Sequence, residues 1–171
     1  VSVPLGTVAP AGYNPSEIMK LKDVDSNSEV RYHTGISELD RVLGGGIVRG
    51  SLVLLGGDPG IGKSTLLLQI CEYLGKDQKI LYVSGEESRA QVKLRAKRLG
   101  VATENLMLAS MTDIENVVHA ILQTKPDIVM VDSIHTMNFA AVSSSSGSVS
   151  PVRECTQILA RVAKKEDISI F

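Results

Sequence analysis

The sequence predicts an α/β fold in which a central and mainly parallel sheet is flanked by helices. Short apolar runs alternate along the chain with longer segments of helical character, which is typical of parallel strands joined by crossover helices. One early apolar run turns through glycines into a helix, and a later one ends in an aspartate. The 171 residues, 43% of them hydrophobic, suffice for one globular domain with a sizeable core.

The composition argues against several functional classes. The formal net charge of −1 offers no global attraction for nucleic acid, so any contact with DNA must come from a local patch. No run reaches the roughly 18 apolar residues of a membrane span. The start, VSVPLGTVAP, lacks the basic stretch and long apolar core of a signal peptide. We therefore expect no membrane partner and a cytoplasmic location.

The two cysteines, Cys71 and Cys155, stand far apart and outside any C-x-x-C pair. Zinc is therefore not expected in this chain. Each cysteine falls in a predicted helix, where a buried free thiol is the commoner arrangement. Such thiols suit a reducing cytoplasm.

The chain divides into an entry segment and a domain. Residues 1–30 are rich in proline, glycine and polar side chains, so they are interpreted as a linker or entry segment. Within them, Met19 to Val24 is predicted as a short strand. Residues 31–171 are interpreted as the domain itself.

A short helix is predicted directly before the glycine-rich region. Thr34 or Ser37 is expected to cap this helix, which runs to Leu43. The run Gly44 to Gly46 then stops it.

The most informative stretch is LVLLGGDPGIGKSTLLL, residues 52–68. Its apolar start, Leu52 to Leu55, is predicted to be a buried parallel strand. The following turn has the pattern G-x-x-x-x-G-K-[ST] of the phosphate-binding P-loop, between the strand and the helix that this motif requires. The predicted nucleotide-binding residues are Gly57, Asp58, Pro59, Gly60, Ile61, Gly62, Lys63, Ser64 and Thr65.

The residue types of this loop fit the chemistry of phosphate binding. Glycines let backbone N–H groups converge on phosphate oxygens, and the helix N-terminus adds further donors and the positive end of its dipole. Lys63 is expected to neutralise the β- and γ-phosphates of ATP, and the Ser64 hydroxyl to ligate Mg²⁺. Thr65 is a further candidate, near the α-phosphate. The alternative is a glycine-rich turn without a ligand.

An acidic pair follows the next predicted strand. A buried helix over 63–74, which Gly75 ends, leads to a strand over 79–84, and Glu86 and Glu87 come directly after it. Open parallel sheets bind ligands beyond the carboxyl ends of their strands. One of the two glutamates is therefore a candidate general base. The alternative is that they favour the start of the following helix as first-turn acids.

The predicted helix over 88–99 is rich in cations. Arg89, Lys93 and Lys97 recur on one face, whereas Arg95 and Arg98 lie elsewhere. These side chains either contact phosphates of a nucleic acid or nucleotide, or form a solvated face. The solvated face is the commoner arrangement and is favoured here.

A strand and a helix are predicted next. The apolar run Asn105 to Ala109 is a short strand. Thr112 and Glu115 then have the spacing of a capping box, which opens a helix to about Gln123.

The run Ile128 to Asp132 is four apolar residues ending in an aspartate. In a P-loop fold this pattern is typical of the Walker B strand. Asp132 is then expected to hold Mg²⁺ through water, alongside Ser64.

The last part of the chain begins with the low-complexity residues 140–150, interpreted as a flexible loop that is either a linker or a ligand-sensing segment. A helix from Pro151 to Glu166 and the start of a strand over Ile168 to Phe171 follow. Because a domain does not naturally end within its sheet, we expect these residues to be part of a longer chain.

Together these motifs resemble one family. The run TGISELDRVLGGGIVRGSLVLLGGDPGIGKSTLLLQ, then YVSGEES, VDSI and GSVS followed by VREC, is similar to the bacterial RadA (Sms) family of RecA-like ATPases in DNA repair and recombination. The resemblance covers about residues 30–171. It implies that residues 31–171 are a RecA-like P-loop NTPase core.

The resemblance also implies a mechanism and partners. These are ATP hydrolysis in a hexameric ring, single-stranded DNA in its channel, helicase-like branch migration of recombination intermediates, and a recombinase partner. By motif, Lys63 and Glu86 are the catalytic residues, with Glu87 as the rival of Glu86. The position of a DNA-binding loop falls on Ser143, Ser144, Ser145, Ser146, Gly147 and Ser148.

The sequence departs from the family in several places. The four-cysteine zinc finger, the KNRFG motif and the Lon-protease-like domain of RadA proteins are not found in these 171 residues. His135 stands where glutamine is usual after VDSI. This substitution either alters the coupling of ATP to DNA or is a tolerated exchange of one polar side chain for another. No arginine finger is identifiable. Two alternatives to a DNA motor therefore stay open: a nucleotide-gated binding module with little turnover, and a KaiC-like ATPase with a protein partner.

Overall fold

The computed structural model describes residues 19–23, 30–139 and 150–171. The helices are α1 (Ser37–Val42), α2 (Lys63–Leu74), α3 (Arg89–Arg98), α4 (Ile114–Thr124) and α5 (Pro151–Glu166). The strands are β1 (Arg31–Tyr32), β2 (Ile47–Val48), β3 (Ile80–Ser84), β4 (Leu106–Ser110), β5 (Ile128–Asp132) and β6 (Ser169–Ile170). Short 3-10 turns cover Leu21–Asp23 and Ile134–Thr136.

The main sheet is parallel throughout, in the order β4-β3-β5-β6. Its register places Ser84, Ser110 and Asp132 side by side, because Ser84 pairs with both of the others. The carboxyl ends of β3, β4 and β5 therefore lie at one edge. A separate antiparallel pair joins β1 to β2. The predicted α/β architecture with a mainly parallel sheet is confirmed.

Two apolar layers cover the two faces of the sheet, because successive strand residues point to opposite sides. Ile80 and Tyr82 of β3 pack with α2 and α3, in the layer that includes Leu68 and Val92. Leu81 and Val83 face the other way and pack with α4 and α5. All five β3 residues are consequently buried, as the continuous apolar run predicted.

The stretch before the P-loop was only partly predicted. Residue 52 does lie beside β6 in the parallel sense, with Val53 N donating to Ile170 O at 2.8 Å. However, the parallel pairing is an isolated bridge between Leu52 and Ile170, and the side chain of Leu54 is 73% exposed. The expectation of a regular buried strand over residues 52–55 was therefore wrong in its extent.

Three local predictions were wrong. Leu21–Asp23 is a 3-10 turn and not part of a strand. Ile36 occupies the N-cap position of α1 without a side-chain cap, because the Thr34 hydroxyl donates to Asp40 Oδ1 at 2.7 Å. Asp113, and not Thr112, caps α4 by accepting from the N–H of the second helical residue at 2.9 Å.

Other elements agree closely with their predictions. The bounds of α2, β5 and α5 are those predicted, and α3 lies inside its predicted range. Cys71 and Cys155 are both free and buried. In the ranges that the structure describes, no helix has the length and apolar character needed to cross a membrane.

Candidate functional site

The P-loop wraps around its own lysine. Lys63 Nζ donates to the carbonyl oxygens of Gly57 at 2.7 Å and Asp58 at 2.8 Å. Gly60 and Gly62 have φ angles of +79° and +103°, which side chains rarely tolerate. Apart from the neighbouring residues of the chain, no heavy atom of the described residues lies within 4 Å of the place where either would carry a Cβ, so the loop leaves space beside its backbone.

The helix α2 begins at Lys63, directly after the left-handed Gly62. Its first N–H groups have no intrahelical partner, and the positive end of the helix dipole lies here. This is the environment in which backbone groups bind phosphate oxygens.

Ser64 and Asp132 meet although 68 residues separate them. Ser64 Oγ, in the first turn of α2, donates to Asp132 Oδ1 at the end of β5 over 3.0 Å. A hydroxyl and a carboxylate are hard oxygen ligands of the kind that Mg²⁺ prefers. These two residues therefore fit a Mg²⁺ ion that also takes phosphate oxygens. Groups of three or more His, Cys, Asp or Glu that could hold a metal do not occur among the described residues.

Two side chains hold Asp132 from the side away from Ser64. The Tyr82 hydroxyl donates to Asp132 Oδ2 at 2.5 Å. Arg95 Nη2 lies 3.6 Å from the same oxygen and pairs more closely with Glu87. Burial and the neighbouring carboxylate raise the pKa of Tyr82, so the phenol stays a donor. The carboxylate of Asp132 is thus constrained on both oxygens.

The structure separates the two candidate glutamates. Glu86 is exposed, and its Oε1 lies 3.4 Å from the Ser133 hydroxyl that donates to it. Glu87 instead turns toward Arg95, and its backbone N–H donates to Ser84 Oγ at 2.9 Å. Of the two, Glu86 alone lines the cavity described next.

A cavity of about 550 Å³ lies over the P-loop and the end of β5. Several candidate residues of both motifs line it: Gly57, Pro59, Gly60, Lys63, Ser64, Glu86 and Asp132. The candidates Asp58, Ile61, Gly62 and Thr65 are absent from its lining. The structure therefore brings candidate residues for phosphate binding, for metal binding and for the general base to the same cavity.

Some lining residues were not predicted from sequence. Val152 and Thr156 of α5 lie on the cavity, as does Ser133 in the turn after β5. His135, which the sequence did single out, also lines it. The proposed DNA loop, residues 143–148, lies outside the described residues.

Arg95 was also missed, although the sequence carries a signal for it. It lies three residues after the buried Val92 and next to the buried Ala96, on the inward stripe of α3. A charge on such a stripe must be paired, because burying it alone costs a large free energy. The prediction of a solvated face fits Arg89, Lys93 and Lys97, which are exposed, whereas Arg95, predicted to lie elsewhere on the helix, is partly buried.

Comparison with known proteins places the chain in a family. The family model of the KaiC ATPases matches residues 32–120, which is just over half of the chain. With its P-loop and parallel sheet, the chain belongs to this family of RecA-like ATPases. The predicted fold class is thereby confirmed.

Individual relatives are DNA repair proteins. The chain is 52% identical over 158 residues to the DNA repair protein RadA of Listeria monocytogenes, and 51% identical over 152 residues to that of Bacillus subtilis. RadA of Haemophilus influenzae is 48% identical over 161 residues. These alignments cover 92%, 88% and 94% of this chain but 35%, 33% and 35% of the relatives, in the same order. The resemblance to RadA is confirmed, and the chain spans about a third of the length of these relatives.

Proposed function

We propose that residues 31–171 are the ATPase core of a motor in DNA repair and recombination, which binds ATP or ADP with Mg²⁺ and hydrolyses ATP. The observation that carries this proposal is the meeting of Ser64 and Asp132 at 3.0 Å beside the P-loop cavity. A structural turn would not require the hydroxyl of one motif to face the carboxylate of another. P-loop enzymes use both groups at the Mg²⁺ site.

The phosphate-binding role falls to the loop and Lys63. The ammonium now lies between two loop carbonyls, within 2.8 Å of each. A γ-phosphate is a stronger partner for an ammonium than a neutral carbonyl oxygen, because the hydrogen bond becomes charge-assisted at both ends. Lys63 therefore turns from the carbonyls to the phosphate oxygens, where it offsets charge during phosphoryl transfer.

The metal site would be formed by Ser64 directly and by Asp132 through water. Mg²⁺ held there would offset the negative charge of the phosphates. Tyr82 holds the second oxygen of Asp132 at 2.5 Å, so the first stays directed at the helix N-terminus. This arrangement fixes the carboxylate before the nucleotide arrives.

Glu86 is the residue proposed to orient and deprotonate the attacking water. It is exposed to the cavity and touches Ser133 weakly, so its carboxylate is available. Glu87 lacks that freedom, because Arg95 holds its carboxylate.

Among the described residues that line the cavity, Lys63 is the one lysine or arginine. Phosphoryl transfer in related enzymes gains strongly from a second positive group, often an arginine supplied by a neighbouring subunit. We therefore expect slow hydrolysis by the isolated chain and faster hydrolysis in an assembly.

The biological role rests on the resemblance to RadA and on the names of the relatives. We propose that the intact protein forms a hexameric ring, that residues 143–148 contact single-stranded DNA, and that hydrolysis promotes branch migration, with a recombinase as a further partner. The two buried free thiols suit a cytoplasmic location.

Steady-state ATP hydrolysis across protein concentrations, with and without single-stranded DNA, tests this proposal. Lys63→Ala is the test variant, and Lys165→Ala, an exposed lysine at the end of α5, is the matched control. Turnover that rises with concentration and DNA, and disappears only in Lys63→Ala, supports a motor assembled in trans.

The other outcomes separate the alternatives. Nucleotide binding without turnover under any condition identifies a nucleotide-gated module. Turnover that does not change when DNA is added favours an ATPase with a protein partner. The match to the KaiC model makes this the second candidate function. Rapid turnover by a dilute monomer contradicts the expected assembly in trans.

A further inference from the structure

The carboxylate of Asp132 has two oxygens with different surroundings. Oδ1 accepts from Ser64 on the nucleotide side. Oδ2 accepts from Tyr82 and lies 3.6 Å from Arg95 Nη2. Neither Tyr82 nor Arg95 lines the cavity, so both act on Asp132 from behind.

Arg95 lies between two carboxylates. Its side chain is 25% exposed, and those of Glu87 and Asp132 are 33% and 17% exposed. Arg95 Nε is buried and makes no hydrogen bond to any described residue, whereas Nη2, also buried, contacts the carboxylates of Glu87 and Asp132. The guanidinium is thus held by the charges of its neighbours and not by a full set of hydrogen bonds.

A purely structural role does not account for this position. Arg95 lies on the inward stripe of α3 with Val92 and Ala96, where an apolar side chain packs at lower cost than a partly buried charge. A stabilising ion pair with Glu87 needs no approach to Asp132. The guanidinium nevertheless lies close to the carboxylate that fits the metal.

We propose that Arg95 is a positioning residue for the Mg²⁺–nucleotide complex, an inference that rests on the proposed function. By attracting Oδ2, it keeps Oδ1 of Asp132 directed at Ser64. By pairing with Glu87, it withdraws one glutamate and leaves Glu86 as the free carboxylate at the cavity. Groups behind a metal ligand typically change metal affinity by about 10- to 100-fold when removed.

The test measures how Mg²⁺ changes the affinity for a fluorescent ADP analogue, which does not depend on turnover. In Arg95→Met, the Mg²⁺ concentration at half-saturation should rise about tenfold or more. Affinity for the analogue without Mg²⁺ should stay as in the unchanged chain. Arg98→Met, an exposed arginine on the same helix, is the control and should change neither quantity.

Two further variants separate the contacts of Arg95. Arg95→Lys keeps the charge but loses the planar fork, so its half-saturation should lie between those of the unchanged chain and Arg95→Met. Glu87→Gln leaves Arg95 free to approach Asp132. Its Mg²⁺ concentration at half-saturation should therefore rise less than that of Arg95→Met. If the Mg²⁺ concentration at half-saturation rises as much in Glu87→Gln as in Arg95→Met, the effect comes from the ion pair between Glu87 and Arg95, and the proposal is overturned.

Circular dichroism establishes whether each variant is folded. If Arg95→Met is folded and keeps the Mg²⁺ half-saturation of the unchanged chain, Arg95 is only a structural ion pair. If Arg95→Met does not fold, an unchanged half-saturation in Arg95→Lys leads to the same conclusion. Failure of the unchanged chain to bind the ADP analogue contradicts the proposed function itself, so the two failures are distinguishable.

Discussion

Replacing Gly85 by alanine tests the packing that joins the end of β3 to the turn after β5. A Cβ on Gly85 would lie 1.8 Å from Thr136 Oγ1 and 2.6 Å from Thr136 Cβ, whereas ordinary contacts begin near 3.4 Å. Because one of these atoms is a Cβ, rotation of the side chain does not relieve the overlap. The turn must move by roughly 1 Å, and overpacking of this kind costs about 1–3 kcal/mol.

Urea unfolding of Gly85→Ala measures that cost. The expected result is a lower midpoint with an unchanged slope, since the folded core is destabilised but not reduced in size. In the double variant with Thr136→Gly both overlapping atoms are gone, and the third of the three nearest atoms, Met137 Cε at 3.3 Å, is the end of a flexible side chain. The double variant should therefore lose less free energy of unfolding than the two single variants lose together.

The same change should reduce catalysis. Thr136 Oγ1 donates to Ser133 O at 2.7 Å, and Ser133 touches Glu86, so movement of the turn displaces the proposed general base. A misplacement of about 1 Å at a reacting group can cost roughly 100-fold in rate. A Gly85→Ala chain with stability within about 0.5 kcal/mol of the unchanged chain would refute the packing argument, whatever its activity.

Three other predictions follow from single contacts. Tyr82→Phe removes the donor to Asp132 Oδ2 and should lower the free energy of unfolding by about 1.5–3 kcal/mol in urea; a loss too small to measure would show that the bond contributes nothing. Asp113→Ala should cost about 1 kcal/mol, whereas Thr112→Ala should not, and equal losses would contradict the observed cap. Burial raises the pKa of the Cys71 thiol to about 12. Unfolding should therefore become easier as the pH rises above 9.0, where the thiol of the unfolded chain ionises first, and iodoacetamide should label Cys71 at pH 9 only after unfolding; equal labelling rates with and without urea would contradict this.

Strong local signals account for what the sequence predicted well. The bounds of α2 follow from the P-loop glycine before it and Gly75 after it, and the start of α5 follows from Pro151 at its first position. The strand β5 is a continuous apolar run in the chain and a buried strand in the fold. These features depend on residues that are close in the sequence, so they can be predicted from the sequence alone.

Features that depend on residues distant in the chain were not predicted from the sequence. The pairing of Leu52 with Ile170 is a single bridge, and periodicity cannot show how many residues of an apolar run find a partner. Thr34 looked like a cap from its type, but Asp40 engages its hydroxyl. Arg95 was placed away from the face of Arg89, Lys93 and Lys97, but its position on the buried stripe with Val92 was not used.

The strand order explains how the two halves of the candidate site meet. The strand β6 lies between the residues that lead into the P-loop and β5, so it fixes their separation. Ile170 N donates to Ser51 O at 2.9 Å, and Val131 N donates to Phe171 O at 2.8 Å. The first bond holds the stretch that leads toward Ser64, and the second holds the residue before Asp132. The contact between these two side chains therefore depends on a strand that carries no candidate functional residue and that no motif would single out.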